Sequence, residues 1–332
     1  MDVTMPRTSI IMPVYNTQDT VLRAIQSVLD QSDPDFELLI IIDASPDNSV
    51  QIIEDYLVKN PDPRIRVYVE AVNRGLAGVR NYAMDLIRGQ WYAFLDSDDM
   101  YQSNYLETMH KTVARYPDVE MVSAGHALVY PDGSRSERNP HEEKYYTNNE
   151  QILVDYLNDK ITPFTWDKLY RTDICKGYHY PEGIQRGEDG IGSLSTLTQV
   201  NKLVVIPDSI GLYFMNPEGL TWGSLPPVTN TEDHIGRLEK ILGDRLKNPK
   251  IAEAFVVAQG MVILLNAQQA LLIGGDHSGD IIRRCRQLLT WDKVKQSLRH
   301  NLMVGAAGAL LKASPAAYKT LYGAYARKKY GM

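Results

Sequence analysis

Residues 92–99, YAFLDSDD, end an apolar run with three carboxylates in four positions, Asp96, Asp98 and Asp99. Carboxylates this close repel one another unless a cation or a hydrogen-bonded ligand offsets the charge. Asp96 and Asp98 have the spacing to share one hard divalent cation, Mg2+ or Mn2+, whose remaining ligands would be phosphate oxygens and water. The alternative use of one of these acids is an N-cap for a helix beginning at Tyr105. A second acidic pair, Glu188 and Asp189, lies in GEDG at 187–190, where a helical pattern opens. A carboxylate there can accept a proton from an attacking hydroxyl or cap the helix. The helix amino end stabilises the charged form, so proximity must supply much of any basic catalysis.

Other polar residues fall at the ends of apolar runs. PVYN, 13–16, follows the first run and reads either as a ligand-holding turn or as an ordinary one. Asp43 closes the second run, just before ASPDNS, where Asp47 or Asn48 can start the next helix. That leaves Asp43 spare to accept from a base or a ribose. NRGLAGVRN, 73–81, is glycine-rich but fits neither GxGxxG nor GxxxxGK[ST]. Gly75 and Gly78 permit close approach at a helix start, and Arg80 is either solvated or a fork for phosphate.

These residues need elements to hold them. TSIIMPVY and FELLIIID read as strands, and between them Val21, Leu22, Ile25, Val28 and Leu29 recur at helical spacing. SVQIIEDYL continues as helix, IRVYVE as strand, LAGVRNYAMDLI as helix and WYAFL as strand. Such alternation predicts an α/β fold with a mostly parallel sheet and helices on both faces. NYLETMHKTVARY follows as helix and VEMVSAG as strand, and the polar stretch 130–149 reads as a hairpin or loop. FTWDKLY is a compact segment, and KLVVIP and IGLYFM are two further strands. Beyond Thr231 the pattern is helical, broken near Asn248-Pro249, Gly274-Gly275 and Ser314-Pro315. The expected division is a catalytic domain over 1–230 and a helical C-terminal region over 231–332 that packs on it or on a partner.

Composition narrows the classes. The 332 residues are 44% hydrophobic, enough for a substantial core, and the net charge of -6 argues against nucleic acid as partner. Two distant cysteines, Cys175 and Cys285, exclude a disulfide scaffold and fit a reducing compartment. No basic region precedes a long apolar segment at the N-terminus, which argues against a signal peptide. Residues 255–275 are apolar but interrupted by Asn266 and three glutamines, so a buried helix is expected rather than a membrane span. From His277 onward eleven Lys and Arg face two acids, a local balance of +9 that leaves -15 on the rest. This asymmetry reads either as a solvated basic face or as peripheral docking on an anionic membrane.

IIMPVYN, the acid after the second strand, NRGLAGVRN, LDSDD, WDKLY and GED, in this order over about residues 8–215, resemble the inverting, non-processive family 2 glycosyltransferases. The resemblance implies a GT-A-like fold and a nucleotide-sugar donor, most often UDP-linked. It puts Pro13, Tyr15, Asn16 and Asp43 around the nucleotide, with Asn73 and Arg80 nearby. Asp96 would face the ribose, and Asp98 would contact the metal as part of a DxD motif. Trp166 and Asp167 would lie on the acceptor side, with Asp189 as base and Glu188 as its orienter or an acceptor contact. The implied product is a glycan or polyprenyl-linked acceptor extended by one sugar, made by a cytoplasmic enzyme that is soluble or peripheral on the inner membrane face, alone or as an oligomer.

The chain departs from the family pattern in places. DASPDNS stands where DDGSxD is common, and YFMNPEGLT, 213–221, carries no arginine to clamp a pyrophosphate. QxxRW is absent, which disfavours a polymer-extruding synthase. The competing classes are a sugar-phosphate nucleotidyltransferase and a carbohydrate-binding protein of the same fold without turnover.

Overall fold

A computed structural model describes residues 5–330 except 141, 176, 178, 179, 181, 184, 185 and 217–224, with the side chains of 325–330 also outside the description. The chain divides into two compact units. One holds 1–149, 162–183 and 188–215, and the other holds 150–161, 184–187 and 216–332.

The first unit opens with the alternation expected from periodicity. β1 (Thr8–Val14), α1 (Val21–Leu29), β2 (Phe36–Asp43), α2 (Ser49–Lys59), β3 (Ile65–Glu70), α3 (Gly75–Leu86) and β4 (Trp91–Phe94) follow in order. β5 (Met100–Tyr101), α4 (Tyr105–Arg115), β6 (Met121–Val129), β7 (Arg135–Arg138) and β8 (Lys144–Tyr146) come next. α5 (Asn149–Leu157) belongs almost wholly to the second unit, after which β9 (Lys168–Arg171), α6 (Thr172–Cys175), α7 (Glu188–Leu197) and β10 (Leu203–Phe214) complete the first.

The ten strands form one mixed sheet in the order β3-β2-β1-β4-β9-β6-β10-β5, with β7 on β6 and β8 on β10. β1 through β4 are mutually parallel, so the carboxyl ends of all four lie along one edge. Side chains alternate across a strand. Ile10, Met12 and Val14 of β1 and Leu38, Ile40 and Ile42 of β2 share a core with residues of α1, α2 and α4. Ile11, Leu39 and Ile41, which point the other way, are equally buried, as strands covered on both faces require.

Two sequence expectations change here. FTWDKLY contributes a strand: β9 runs antiparallel between β4 and β6. The two late strands are one, β10, whose pairing with β6 shifts register between Val205 and Ser209 and again by Gly211. Pro207 sits inside that irregularity, where its missing N–H costs no ladder bond.

In the second unit α8 (Asn230–Leu242) and a short 3-10 turn lead to α9 (Pro249–Ile273). α10 (Ser278–Leu288), α11 (Trp291–His300), α12 (Leu302–Ala313) and α13 (Pro315–Tyr330) follow. The breaks fall where the sequence signals them. Asn248 caps α9 through Lys250 N with Pro249 just inside, and Thr290 and Asn301 cap α11 and α12. α9 is long and apolar enough to cross a membrane, yet 61% of its most apolar window is buried within the fold. Ile263, Leu264, Ala267 and Leu271 form a core with Ile281, Cys285, Leu289, Val294, Leu311 and Tyr318. Three of the four polar interruptions of α9 are hydrogen-bonded, and the fourth, Gln259, keeps a buried Oε1 without a partner among the described residues. Asn266 accepts from Asn230, Gln268 donates to Tyr318, and Gln269 accepts from Arg186. Both cysteines are buried thiols.

Candidate active site

The loops leaving β1, β2, β3 and β4 meet at the carboxyl edge of the parallel strands, where ligands gather in open α/β sheets. Pro13 is buried in β1, two residues after its last pair with β4, while Tyr15 and Asn16 are exposed. Asn16 and Ala44 adopt left-handed backbone, with φ of 56° and 49°. Non-glycine residues accept that strain only where surrounding bonds fix it. Those bonds are present. Asn16 N donates to Ser45 Oγ, Ser45 Oγ donates to Asp47 Oδ1, and Gln18 N donates to Asp47 Oδ2. DASPDNS therefore replaces the common family pattern with a lashing of the first two loops. Asp47 also accepts from Ser49 N at the start of α2, whereas the Asn48 side chain makes no cap bond.

Asp43 is not spare. Its carboxylate accepts from Arg74 N at 2.7 Å and Gly75 N at 2.9 Å, closing the start of α3 onto β2. Asn73 joins the closure, donating to Asp43 O and accepting from Gly75 N. Each carboxylate oxygen has a second lone pair, so Asp43 keeps capacity to accept from a ligand.

The three acids after β4 divide their roles by geometry, and the side chain of Asn104, the residue before α4, makes no cap bond. Asp99 points inward, buried, accepting from Phe214 N through Oδ1 with Oδ2 unpartnered. Burial and the neighbouring carboxylates Asp98 and Asp96 push its pKa well above the usual range. Asp98 is half-buried, and burial raises its pKa against the pull of Arg23. Arg23 donates to Asp98 O and lies over the Phe214 ring at 3.7 Å. Asp96 has a side-chain exposure of 24% and faces Arg80 at 3.4 Å. Burial pushes its carboxyl up to about 7, opposed by Arg80 and reinforced by Asp189, Asp98 and Glu188. Thr17 and Thr20 bind Ser97 and fix this loop against the first.

Arg80 overturns both readings made from sequence, since it is neither solvated nor free to fork a phosphate. The guanidinium is 0% exposed and bridges two carboxylates, Asp189 Oδ1 at 2.5 Å and Asp96 Oδ1 at 3.4 Å. Burial works against its charge, but Asp189 and then Asp96 more than compensate, so its pKa is raised. The rings of Phe94 and Tyr180 flank it at 5.4 and 5.5 Å. Tyr180 approaches so closely because residue 192 of α7 is glycine, where a Cβ would lie 2.3 Å from the ring.

Glu188 and Asp189 are the first residues of α7 and both are half-buried. Asp189 Oδ1 accepts from Arg80 and from Thr165 Oγ1 at 3.0 Å, leaving Oδ2 without a hydrogen bond among the described residues. Thr165 carried no signal of its own in the sequence.

Trp166 and Asp167 are not on an open face. Trp166 is buried, stacked 9° off the Tyr213 plane and 25° off that of Phe164. The half-exposed members of that cluster are Phe164 and Tyr213. Asp167, 0% exposed, pairs with Lys168 at 2.7 Å, and His126 Nδ1 lies 3.3 Å away. Burial opposes its charge, but Lys168 and His126 hold its pKa below the usual range, while burial lowers that of Lys168. Lys168 Nζ also donates to Thr162 O, Thr162 Oγ1 and Phe164 O, so it ties down the segment that presents Thr165. Within YFMNPEGLT, residues 217–221 lie outside the described residues.

No group of three His, Cys, Asp or Glu among the described residues could hold a metal ion alone. Asp98 and Asp96 supply one or two carboxylates at a loop edge, the donor set that suits Mg2+ or Mn2+ completed by substrate phosphates and water. The residues fit such an ion.

The model of glycosyl transferase family 2 matches residues 9–176, half of the chain. The uncharacterized glycosyltransferase EpsJ of Bacillus subtilis is 26% identical over 306 residues, spanning 89% of this chain and 87% of that protein. The Escherichia coli UDP-Glc:alpha-D-GlcNAc-diphosphoundecaprenol beta-1,3-glucosyltransferase WfgD is 40% identical over 99 residues, 30% of this chain and 38% of that enzyme. Staphylococcus aureus TarS 1-349 in complex with UDP-GlcNAc shares the fold, with TM-score 0.71 at 18% identity over 98% of this chain and 93% of that one. The Pyrobaculum calidifontis mannosyltransferase PcManGT with GDP-Man and Mn2+ gives 0.55 at 16% identity over 95% and 89%. The nucleotidyl-transfer and non-catalytic alternatives fall away: the chain belongs to glycosyl transferase family 2 and is a nucleotide-sugar-dependent glycosyltransferase of GT-A-like fold.

Proposed function

We propose that the enzyme moves one sugar from a UDP-linked donor to a hydroxyl of a glycan on a polyprenyl-linked carrier, with inversion at the anomeric carbon, at the cytoplasmic face of the membrane. The observation that carries the chemistry is the Asp189 carboxylate. Arg80 and Thr165 hold one oxygen, and the other is unbonded among the described residues at 21% side-chain exposure.

Direct displacement needs the acceptor hydroxyl to lose its proton as it attacks, and a fixed carboxylate oxygen meets that need. Asp189 Oδ2 takes the proton, and Glu188 beside it binds the acceptor. Arg80 and Thr165 restrict Asp189 to one orientation, so alignment rather than intrinsic basicity supplies much of the effect. The exposed loop residues Tyr15, Asn16 and Asn73, with Asp43, line the nucleotide, and Asp96 faces its ribose. Asp98, with Asp96 behind it, would hold Mn2+ or Mg2+. Such an ion neutralises charge developing on the departing diphosphate. The acceptor class is supported by WfgD, whose name specifies a diphosphoundecaprenol-linked acceptor.

Calorimetry with a panel of nucleotide-sugars, with and without Mn2+, tests this reading. A UDP-sugar should bind more tightly with the ion, and Asp98→Asn should remove that gain while folding normally. Full activity in EDTA would remove the metal role, and failure of any nucleotide-sugar to bind would remove the site.

A further inference from the structure

In the helical unit, exposed apolar side chains concentrate on α11 and at its junction with α12. Trp291 is 50% exposed, Leu302 71% and Met303 82%, and Leu298 is also exposed. Positions 291, 295, 298 and 299 are spaced i, i+4, i+7 and i+8, so Trp291, Lys295, Leu298 and Arg299 share one helix face. Val294 and Ser297 face inward. α12 starts after a single residue, Asn301, so Leu302 and Met303 form the tip of a tight helix pair. That turn is rigid. Gly305 comes so close to α11 that a Cβ there would lie 2.4 Å from Leu298 N.

Several cations of the unit are neutralised: Lys247, Lys250, Arg283 and Arg284 pair with Asp244, Glu150, Asp280 and Glu232. Lys295 and Arg299 have no carboxylate partner among the described residues, and His300 lies 3.7 Å from Glu253. Asp292 is the sole acid of α11, and α12 has none.

We propose that the outer face of α11 and the Leu302–Met303 tip dock on an anionic lipid bilayer. Leu298, Leu302 and Met303 enter the acyl boundary, Trp291 sits at headgroup level, and Lys295, Arg299 and His300 meet lipid phosphates. Charge complementarity argues for this occupant: lysine is depleted from protein interface cores, and a bilayer takes an aliphatic tip and the neighbouring ammonium or guanidinium at adjacent depths.

Flotation of the full-length protein with vesicles of phosphatidylcholine alone, or mixed with phosphatidylglycerol, tests the surface. Binding is expected only to the mixed vesicles and should weaken with salt. The double variant Lys295→Glu/Arg299→Glu should bind ~30-fold or more weakly. Leu302→Ser/Met303→Ser should lose ~10-fold. Both variants change exposed side chains outside the catalytic site, so melting temperature and donor affinity should stay at wild-type values. Absence of wild-type binding to the mixed vesicles, or equal binding by the variants, overturns the proposal. Self-association in sedimentation velocity that the variants abolish, without vesicle binding, would assign the face to a second copy instead.

Discussion

Two clusters in the sheet unit use the same ingredients and end in opposite states. In one, Arg80 is wholly buried, but its partners Asp96 and Asp189 keep 24% and 21% of their side chains exposed. In the other, Lys168 and Asp167 are both 0% exposed, and His126 beside them is buried too. A sealed pair can only hold structure together. A pair whose cation is sealed and whose carboxylates reach an edge can hold those carboxylates still for chemistry. Polar type alone, therefore, does not separate an active carboxylate from an architectural one, and the difference lies in which end of the ion pair reaches solvent.

The contrast is broken most severely from the sealed side. Lys168→Met leaves Asp167 as a buried charge without its main partner and should cost about 3–5 kcal/mol of stability. Urea denaturation monitored by fluorescence measures it, and a loss comparable to a surface substitution would refute the sealed-pair account.

From the open side the order inverts. Asp189→Asn keeps the shape beside Arg80 but removes the proton acceptor, so kcat should fall by ~10²-fold or more while donor affinity changes little. The melting temperature should drop, because buried Arg80 loses its nearer carboxylate. Glu188→Gln should lose less in kcat and more in acceptor KM. Near-normal kcat in Asp189→Asn would remove it as base, and the sealed Asp167 is no replacement.

Thr165→Val sharpens the comparison at one bond. Thr165 is buried and nearly isosteric with valine, so the change deletes the hydroxyl donated to Asp189 with little repacking. A hydrogen bond to a charged group is worth about 1.5–3 kcal/mol, so kcat should fall ~10-fold or more with donor KM unchanged. Thr165→Ser should restore it, and failure of that rescue would mean the methyl group matters rather than the hydroxyl.

The smallest effect tests burial without a partner. Burial alone lowers His234 to about 4. The unfolded chain takes up that proton near 6.5, which the folded state refuses until about 4, so stability falls as pH drops through this window. Discounted for partial exposure, the loss is on the order of 1–2 kcal/mol. Melting temperatures from pH 7 to 4.5 should decline less in His234→Gln than in wild type.

The sequence determined the alternation β1 to β4 and hence the edge at which Asp43 and Asp96 to Asp98 stand. Periods of two and 3.6 are local properties, and parallel strands joined by helices must align their carboxyl ends. It also located the helix breaks at Asn248-Pro249 and Ser314-Pro315, because capping is local. Short elements such as β5 and α6 carry too few residues to show a period, and Pro207 divided β10 into two on paper where a register shift absorbs it. The partners of Arg80, Asp43 and Asp167 were decided only by tertiary structure. Arg80 meets an acid 109 positions away, and Asp43 meets amides 31 and 32 positions away. The burial of Trp166 in an aromatic stack likewise depends on residues from distant strands. Which polar groups face solvent depends on desolvation by the whole fold, and no spacing along the chain encodes that.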